Sequence, residues 1–434
     1  MNRIIISCFV GLSVVFGSWF CLQDPTIPGT PIVVVEQTLA ENWQEQLDTT
    51  GSLHIDEPGT YILDAPLHVN PSDRYEIIGS VRAFVKYRGP AGTAWLEIDK
   101  ARTQSPWTGR LTVKDMNVEA KGEFRSVVKS TYWKLQWNNI TFENCDFSAG
   151  GYCFDFDNVS YGIVPTFRDI KTGGGGALRY RSSGRGSDAF HATSQMEITG
   201  WHHNGGNRIG PAFDLRGIGG LVATNIIDEQ RPTVHPDIHG QYEFPISFRL
   251  ESWYAPVKID GYWLEPWGDM SKLAPGCWAM EVRIKDDNFR GDGKHNICEF
   301  NNLQLGGSNA VQPKFRVVGG DAAKSHGCVV FIKNAWYPKA DVFQCYGKSR
   351  LVFEQPTMRS RDVVDLKNKF IVRSPIVFDT HKLPHIDGDS FGKNINEPYY
   401  EATDPIIPEI PPIVNPSATP DEPDDGNTPG TIDD

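Results

Sequence analysis

The sequence predicts an all-β fold: a right-handed, single-stranded parallel β-helix with a short N-terminal capping helix. Three observations point there. A short phrase of apolar residues closing on Asn, Asp or Gly recurs from residue 77 to residue 355 at irregular spacing. A second phrase, apolar–charged–apolar–charged, falls between most copies of the first. The chain holds 42 glycines and 30 prolines, enough for a turn at every corner, and no helical periodicity separates the phrases.

Taken in order, residues 1–22 (MNRIIISCFVGLSVVFGSWFCL) form a leader in which Arg3 precedes an uncharged run from Ile4 to Leu22. That run fits a signal peptide and is also long enough to span a membrane, so a cleaved signal and an uncleaved anchor both stay open. Either reading sends the rest of the chain out of the cytoplasm. Residues 23–49 are expected to cap the solenoid. Leu39, Trp43 and Leu47 fall at i, i+4 and i+8, one apolar stripe on a helix over 36–48. An open β-helix end exposes unpaired strand groups and an apolar bore, which is why a cap is needed there.

Residues 50–399 carry the repeat. Its first phrase runs through Ile77-Ile78-Gly79, Val113-Lys114-Asp115, Ile140-Thr141-Phe142-Glu143-Asn144, Phe167-Arg168-Asp169 and Ile198-Thr199-Gly200. It continues as Ala223-Thr224-Asn225, Ile259-Asp260-Gly261, Phe300-Asn301-Asn302, Ile332-Lys333-Asn334 and Phe353-Glu354-Gln355. From Phe142 the spacings are 25, 31, 25, 36, 41, 32 and 21 residues, a coil of about two dozen residues with loop insertions. The second phrase reads Phe154-Asp155-Phe156-Asp157, Leu178-Arg179-Tyr180-Arg181, Phe213-Asp214-Leu215-Arg216, Phe248-Arg249-Leu250-Glu251, Met280-Glu281-Val282-Arg283 and Phe315-Arg316-Val317. Strict alternation marks a strand with one buried face. A β-sandwich would show hairpin signals, and a propeller would repeat four strands at a steadier period.

On the coil phrase, the cap and the Asn/Asp position, the chain resembles the pectate-lyase-like right-handed β-helix superfamily over roughly residues 50–380. The resemblance implies a carbohydrate-active protein, since many members act on acidic polysaccharides as lyases, hydrolases or epimerases, while others are tail spikes or adhesins. Arg283-Ile284-Lys285 is similar to the Arg-Ile-Lys element of polygalacturonases, without the Asn-Thr-Asp or Gly-His-Gly elements that accompany it there. The phrase His235-Pro236-Asp237-Ile238-His239-Gly240-Gln241 resembles a His-x-Asp-Gly-x-Gln phrase of some secreted β-helix proteins, with one extra residue.

The insertions locate the expected site. From anchor to the next alternating strand the ordinary coils 142 to 154, 167 to 178 and 332 to 343 need 11 or 12 residues, but 198 to 213 takes 15, 223 to 248 takes 25, and 259 to 280 takes 21. Insertions at one corner of neighbouring coils make a wall, where solenoids place recognition and chemistry. The first loop is expected to hold Trp201, His202, His203 and Arg208; the second His235, Asp237, His239 and Tyr242; the third Trp263, Glu265 and Trp267. Histidine titrates near neutrality and serves as acid or base, and tryptophan offers an apolar face to sugars. Packing of surface loops onto the coil is the plain alternative.

Arg181, Arg216 and Arg249 are expected to receive carboxylates, or else to form a salt-bridge ladder with Asp155, Asp214, Glu251 and Glu281. For lyase or epimerase chemistry on a uronate, Arg216 or Arg249 neutralises the carboxylate. His235 or His239 takes the C5 proton, with Asp237 orienting it, and Tyr242 or His203 protonates the leaving oxygen. Glycoside hydrolysis would use Asp237, Glu251 and Glu265 instead. A non-catalytic glycan-binding or adhesin-type β-helix is the alternative outside enzymology.

No cofactor is indicated with certainty. Zinc at His235 and His239 is disfavoured because Pro236 and Gly240 break the helix that would align them. Asp286-Asp287-Asn288 with Asp292 offers oxygen ligands to Ca2+, with a solvated turn as the alternative. Cys145, Cys153, Cys277, Cys298, Cys328 and Cys345 permit either disulfides or buried thiols.

Residues 400–434 hold nine acidic residues, eight prolines and no Lys or Arg, and are expected to be a disordered tail. The formal charge of −12 and pI near 5.4 argue against a nucleic-acid partner. Most of that acidity lies in the tail, so a nearly balanced body can still accept an acidic polysaccharide. A membrane is a partner only if the leader is retained.

Overall fold

The structure is a computed structural model that describes residues 38–378 apart from 71–72, 99–108, 123, 131–138, 160–164, 183–194, 206–209, 231–232, 235–241, 244–245, 254–255, 267–277, 284–296, 307–313, 319–328, 338–342, 346–349, 355–356, 359–369 and 373–376. The leader, the tail and the Asp286–Gly293 phrase lie outside these residues. So do Cys277, Cys328, Arg208, His235, Asp237, His239 and Trp267.

The chain coils as a parallel β-helix of three faces. One coil shows the plan: 165–168 on the first face, 170–174 on the second, and 176–182 on the third, all within the continuous strand Pro165–Ser182. Each segment pairs in parallel with its equivalent one coil later: Phe167 with Ile198, Thr172 with His203, and Leu178 with Phe213. The main sheet is parallel throughout, as the sequence predicts. The exception is a two-stranded antiparallel ribbon, Thr233–Val234 with Tyr242–Glu243, within the longest excursion.

The corner between the first and second faces explains the recurring phrase. Asp115, Asn144, Asp169, Asn225, Asn302 and Asn334 all have φ between 49° and 55°, and Gly200 and Gly261 stand at 70° and 75°. This left-handed conformation turns the chain with a single residue. Asn and Asp tolerate it better than other side chains, and Gly adopts it freely. The corner residues also bond along the axis. Asn144 Nδ2 donates to Asp115 Oδ1 at 2.6 Å, and Asn302 Nδ2 donates to Asp260 Oδ1 at 2.7 Å. At Gly200 a Cβ would stand 2.8 Å from Asp169 Oδ1, so the close approach requires glycine as much as φ does.

Inside, alternation fills the bore. Phe142, Phe154, Phe167, Trp201, Phe213, Phe248 and Phe300 are fully buried and pack ring against ring from coil to coil. Phe142 stacks on Phe167 at 5.7 Å.

The cap is the helix Leu39–Thr50, a few residues later than predicted. Thr38 precedes it with Glu41 three residues on, the capping-box spacing. Its face Ala40, Trp43 and Leu47 is buried on the first coil, with Leu39 packed at the margin. Gln44 closes the strand edge directly. Its Nε2 donates to the His68 carbonyl at 2.9 Å, and its Oε1 accepts from the His68 N–H at 2.7 Å. One side-chain amide thus replaces a missing strand residue.

Candidate functional site on the third face

Between Asn139 and Ala335 the long connections between the described strands fall at the two edges of the third face. Segments 206–212, 231–247, 267–277 and 306–313 join the second face to the third, and 183–195, 284–296 and 319–328 join the third back to the first. The third face is built from the charged alternating strands, with Phe, Leu, Val and Met turned into the bore and charged side chains turned outward.

Two outward columns result. The inner one runs Asp155, Arg179, Asp214, Arg249, Glu281, Arg316 in strict register, one residue per coil. Every member is buried although it points away from the bore. Arg179 grips Asp155 with two bonds of 2.6 Å and lies 5.0 Å over the Tyr152 ring. Asp214, wholly buried, accepts from Arg181 Nε at 3.0 Å and Nη2 at 2.5 Å, and from Arg216 Nε at 2.8 Å. Glu281 takes Arg316 through Nε and Nη2, with Arg249 Nε at 3.3 Å and Arg283 Nε at 3.4 Å.

Electrostatics follow from this crowding. Burial would raise the Asp214 carboxyl, but Arg181, Arg216 and Arg249 overcome it and hold it below the usual carboxylate range. Burial opposes charge on Arg179 and Arg216 too, yet Asp155 and Asp214 keep both guanidiniums firmly protonated. Burial pushes the Tyr152 phenol up, so it is no ready base.

The second column is partly open. Arg181, Arg216, Glu251 and Arg283 succeed one another in register, followed by Val318. The side chains of Arg181, Arg216 and Arg283 remain 25%, 27% and 23% exposed, against 10% for Glu251. Asp157 stands beside the start of this row, 3.9 Å from Arg181 Nη1. The columns are therefore one construction: buried carboxylates grip each arginine from one side and leave part of it open. A ladder of exposed pairs is corrected to one with a buried inner column, where removing one partner is far more damaging.

The wall of loops also needs correction. Trp201, His202 and His203 lie in the strand Met196–Gly205, and Trp263 and Glu265 lie in Val257–Pro266, all on the second face. After the left-handed turn at Gly200 or Gly261 the strand resumes at once. Trp201 is buried against Phe154, Phe167 and Phe213, so it packs the core and offers no sugar platform. His203 is wholly buried in the bore and cannot protonate a leaving group in a surface cleft. Trp263 is 39% exposed, but it shares the outer surface of the second face with Glu265 and His202 rather than the arginine row. His202 Nε2 lies 2.8 Å from Glu229 Oε1, and Asn204 Nδ2 donates to Glu229 at 3.0 Å.

His203 belongs to a polar chain inside the otherwise apolar bore. Trp201 Nε1 donates to Thr172 Oγ1 at 2.8 Å, and the same hydroxyl lies 2.9 Å from His203 Nδ1. His203 is in register with Asp228 on the next coil. Gln230 Nε2 and the Ser247 hydroxyl donate to Asp228 Oδ2, and the Tyr262 and Ser247 hydroxyls lie 2.6 Å apart. Gln230 and Ser247 are where the 231–246 excursion departs and returns, so this network ties its two ends together. The sequence signal was available: Thr172, His203 and Asp228 each stand five residues after an anchor, where Phe147 and Leu264 are apolar.

Of the expected catalytic set, Arg249 is described and engaged with Glu281. Tyr242 is placed only as backbone in the ribbon, and the other second-loop residues lie outside the described residues. Cys145, Cys153 and Cys298 are buried, and burial pushes the Cys145 and Cys153 thiols up to about 12. Among the described residues no three His, Cys, Asp or Glu side chains gather to hold a metal ion, and no helix is long and apolar enough to cross a membrane. Comparison with family models, with curated proteins and with solved structures found no match.

Proposed function

We propose that the protein is an extracytoplasmic, pectate-lyase-like β-helix that acts on an acidic, uronate-containing polysaccharide along the outer row of the third face, by lyase or epimerase chemistry. One observation carries this reading: Arg181 and Arg216 stand on adjacent coils, both gripped by the buried Asp214 and both partly open. Guanidiniums held this way lose little freedom when they bind a carboxylate, and their partly exposed N–H groups suit a planar anion.

In this chemistry Arg216, with Arg181, replaces Arg249 as the group that neutralises the uronate carboxylate and so acidifies the C5 proton. Arg249 supports from beneath through Glu281. The base is His235 or His239, oriented by Asp237, and Tyr242 donates to the leaving oxygen. Non-catalytic glycan binding is the second reading. It is favoured by the two described histidines nearest the expected wall, since His202 and His203 both stand on the second face and not on the row.

The test is incubation with uronate polysaccharides, scoring unsaturated products, new reducing ends and C5 inversion separately. Unsaturated or inverted products that disappear in His235→Ala support the enzymatic reading. New reducing ends without unsaturation identify hydrolysis. Binding with no product of any kind leaves the second reading.

A further inference from the structure

We infer that the row selects a polymer in which anionic sugars alternate with uncharged ones, of the uronate–hexosamine type, over a homopolyuronate. The inference rests on the acidic-polysaccharide reading above and concerns the charge pattern of its ligand. The row presents one side chain per coil, in the order Arg181, Arg216, Glu251, Arg283. Coils repeat at about 4.8 Å, so Arg216 and Arg283 are separated by about 10 Å with Glu251 between them. A pyranose ring spans about one coil, and a polymer touching successive members of the row must run along the axis.

Such a polymer finds cations at Arg181 and Arg216, an anion at Glu251 and a cation again at Arg283. A uronate over Glu251 would set a second carboxylate beside one that already lies 3.9 Å from Arg216 Nε and is only 10% exposed, and the two like charges would compete for that guanidinium and repel. A hydroxyl or amide N–H at the same place is accepted by the Glu251 carboxylate. The pattern does not blur by side-chain motion. Asp214 fixes Arg181 and Arg216, and Glu281 lies 3.4 Å from Arg283 Nε. Bulk attraction follows charge density and favours the homopolyuronate, so the opposite preference has to come from the row.

The test uses the full chain at physiological salt, titrated with hyaluronan and heparosan oligosaccharides and with oligogalacturonates of equal length. The alternating oligosaccharides are expected to bind at least about tenfold more tightly. Glu251→Gln is expected to bring the two classes within about twofold by gaining homopolyuronate affinity. Equal or tighter homopolyuronate binding by the unaltered protein overturns the alternation and leaves the acidic-polysaccharide reading standing. Binding of neither class overturns both. Should Glu251→Gln fail to fold, Arg283→Gln serves in its place. It should weaken an alternating tetrasaccharide and spare the disaccharide, and equal loss for both contradicts the spacing.

Discussion

The corner between the first and second faces and the corners beside the third obey different rules within the same coil. At the first, the chain turns on a single left-handed residue, coil after coil from Asn144 to Asn302, and adds nothing. At the others it adds segments as long as 231–246. At the first corner several residues bond to the coil below, Asn144 to Asp115, Asn302 to Asp260 and Asn334 to Asn301, so an extra residue would break such contacts. The corners beside the third face lack that constraint. The outward surface between them is also where charged side chains are buried in pairs. Length variation and buried charge coincide there because a rigid scaffold can carry both without losing its register.

The largest effect should come from breaking the closed corner. A four-residue Gly-Ser insertion after Asn225 is expected to abolish the cooperative unfolding transition, while the same insertion after Gly210 shifts the midpoint by a few degrees at most. Circular dichroism melts distinguish the two, and equal tolerance would erase the contrast.

Next comes the buried ladder. Asp214→Ala leaves Arg181 and Arg216 without their shared carboxylate and should cost about 3–5 kcal/mol in denaturant unfolding. The acid limb of stability should report the same residue. The folded Asp214 carboxyl is held below its ordinary value, so its contribution is complete above the unfolded value of about 3.9 and is lost as pH falls through the folded one. Asp214→Asn should therefore flatten the stability profile below about pH 4, which a denaturant series at several pH values would show.

The smallest effect belongs to single corner residues. Asn225→Ala forces an alanine into the left-handed region and should cost about 1–2 kcal/mol, while Asn225→Gly should be close to neutral. A larger loss for Gly than for Ala would mean that side-chain bonding, not backbone conformation, governs the position.

Much of this was legible in the sequence. The recurring Asn, Asp and Gly positions from Asp115 to Asn334 proved to be the left-handed corners, the alternating phrases proved to be the third face, and the Trp43–Leu47 stripe proved to be the cap. The second face was misread because its inward positions are polar in the middle coils. Thr172, His203 and Asp228 fill the bore where alternation predicts apolar residues, and a strand with polar residues on both sides looks like a loop. Burial of the charged column was not legible either. Alternation assigns a side chain to a face but carries no information on whether that face is covered.

The central claim is that the outer row of the third face binds an acidic polymer. It is tested most directly by comparing polyuronate affinity of the unaltered protein, the double variant Arg181→Gln/Arg216→Gln, and His202→Gln on the second face, with folding monitored in parallel. The double variant should bind at least about tenfold more weakly, a loss of about 1.4 kcal/mol or more, and His202→Gln should stay within about twofold. A folded double variant that binds as tightly as the unaltered protein would contradict the claim.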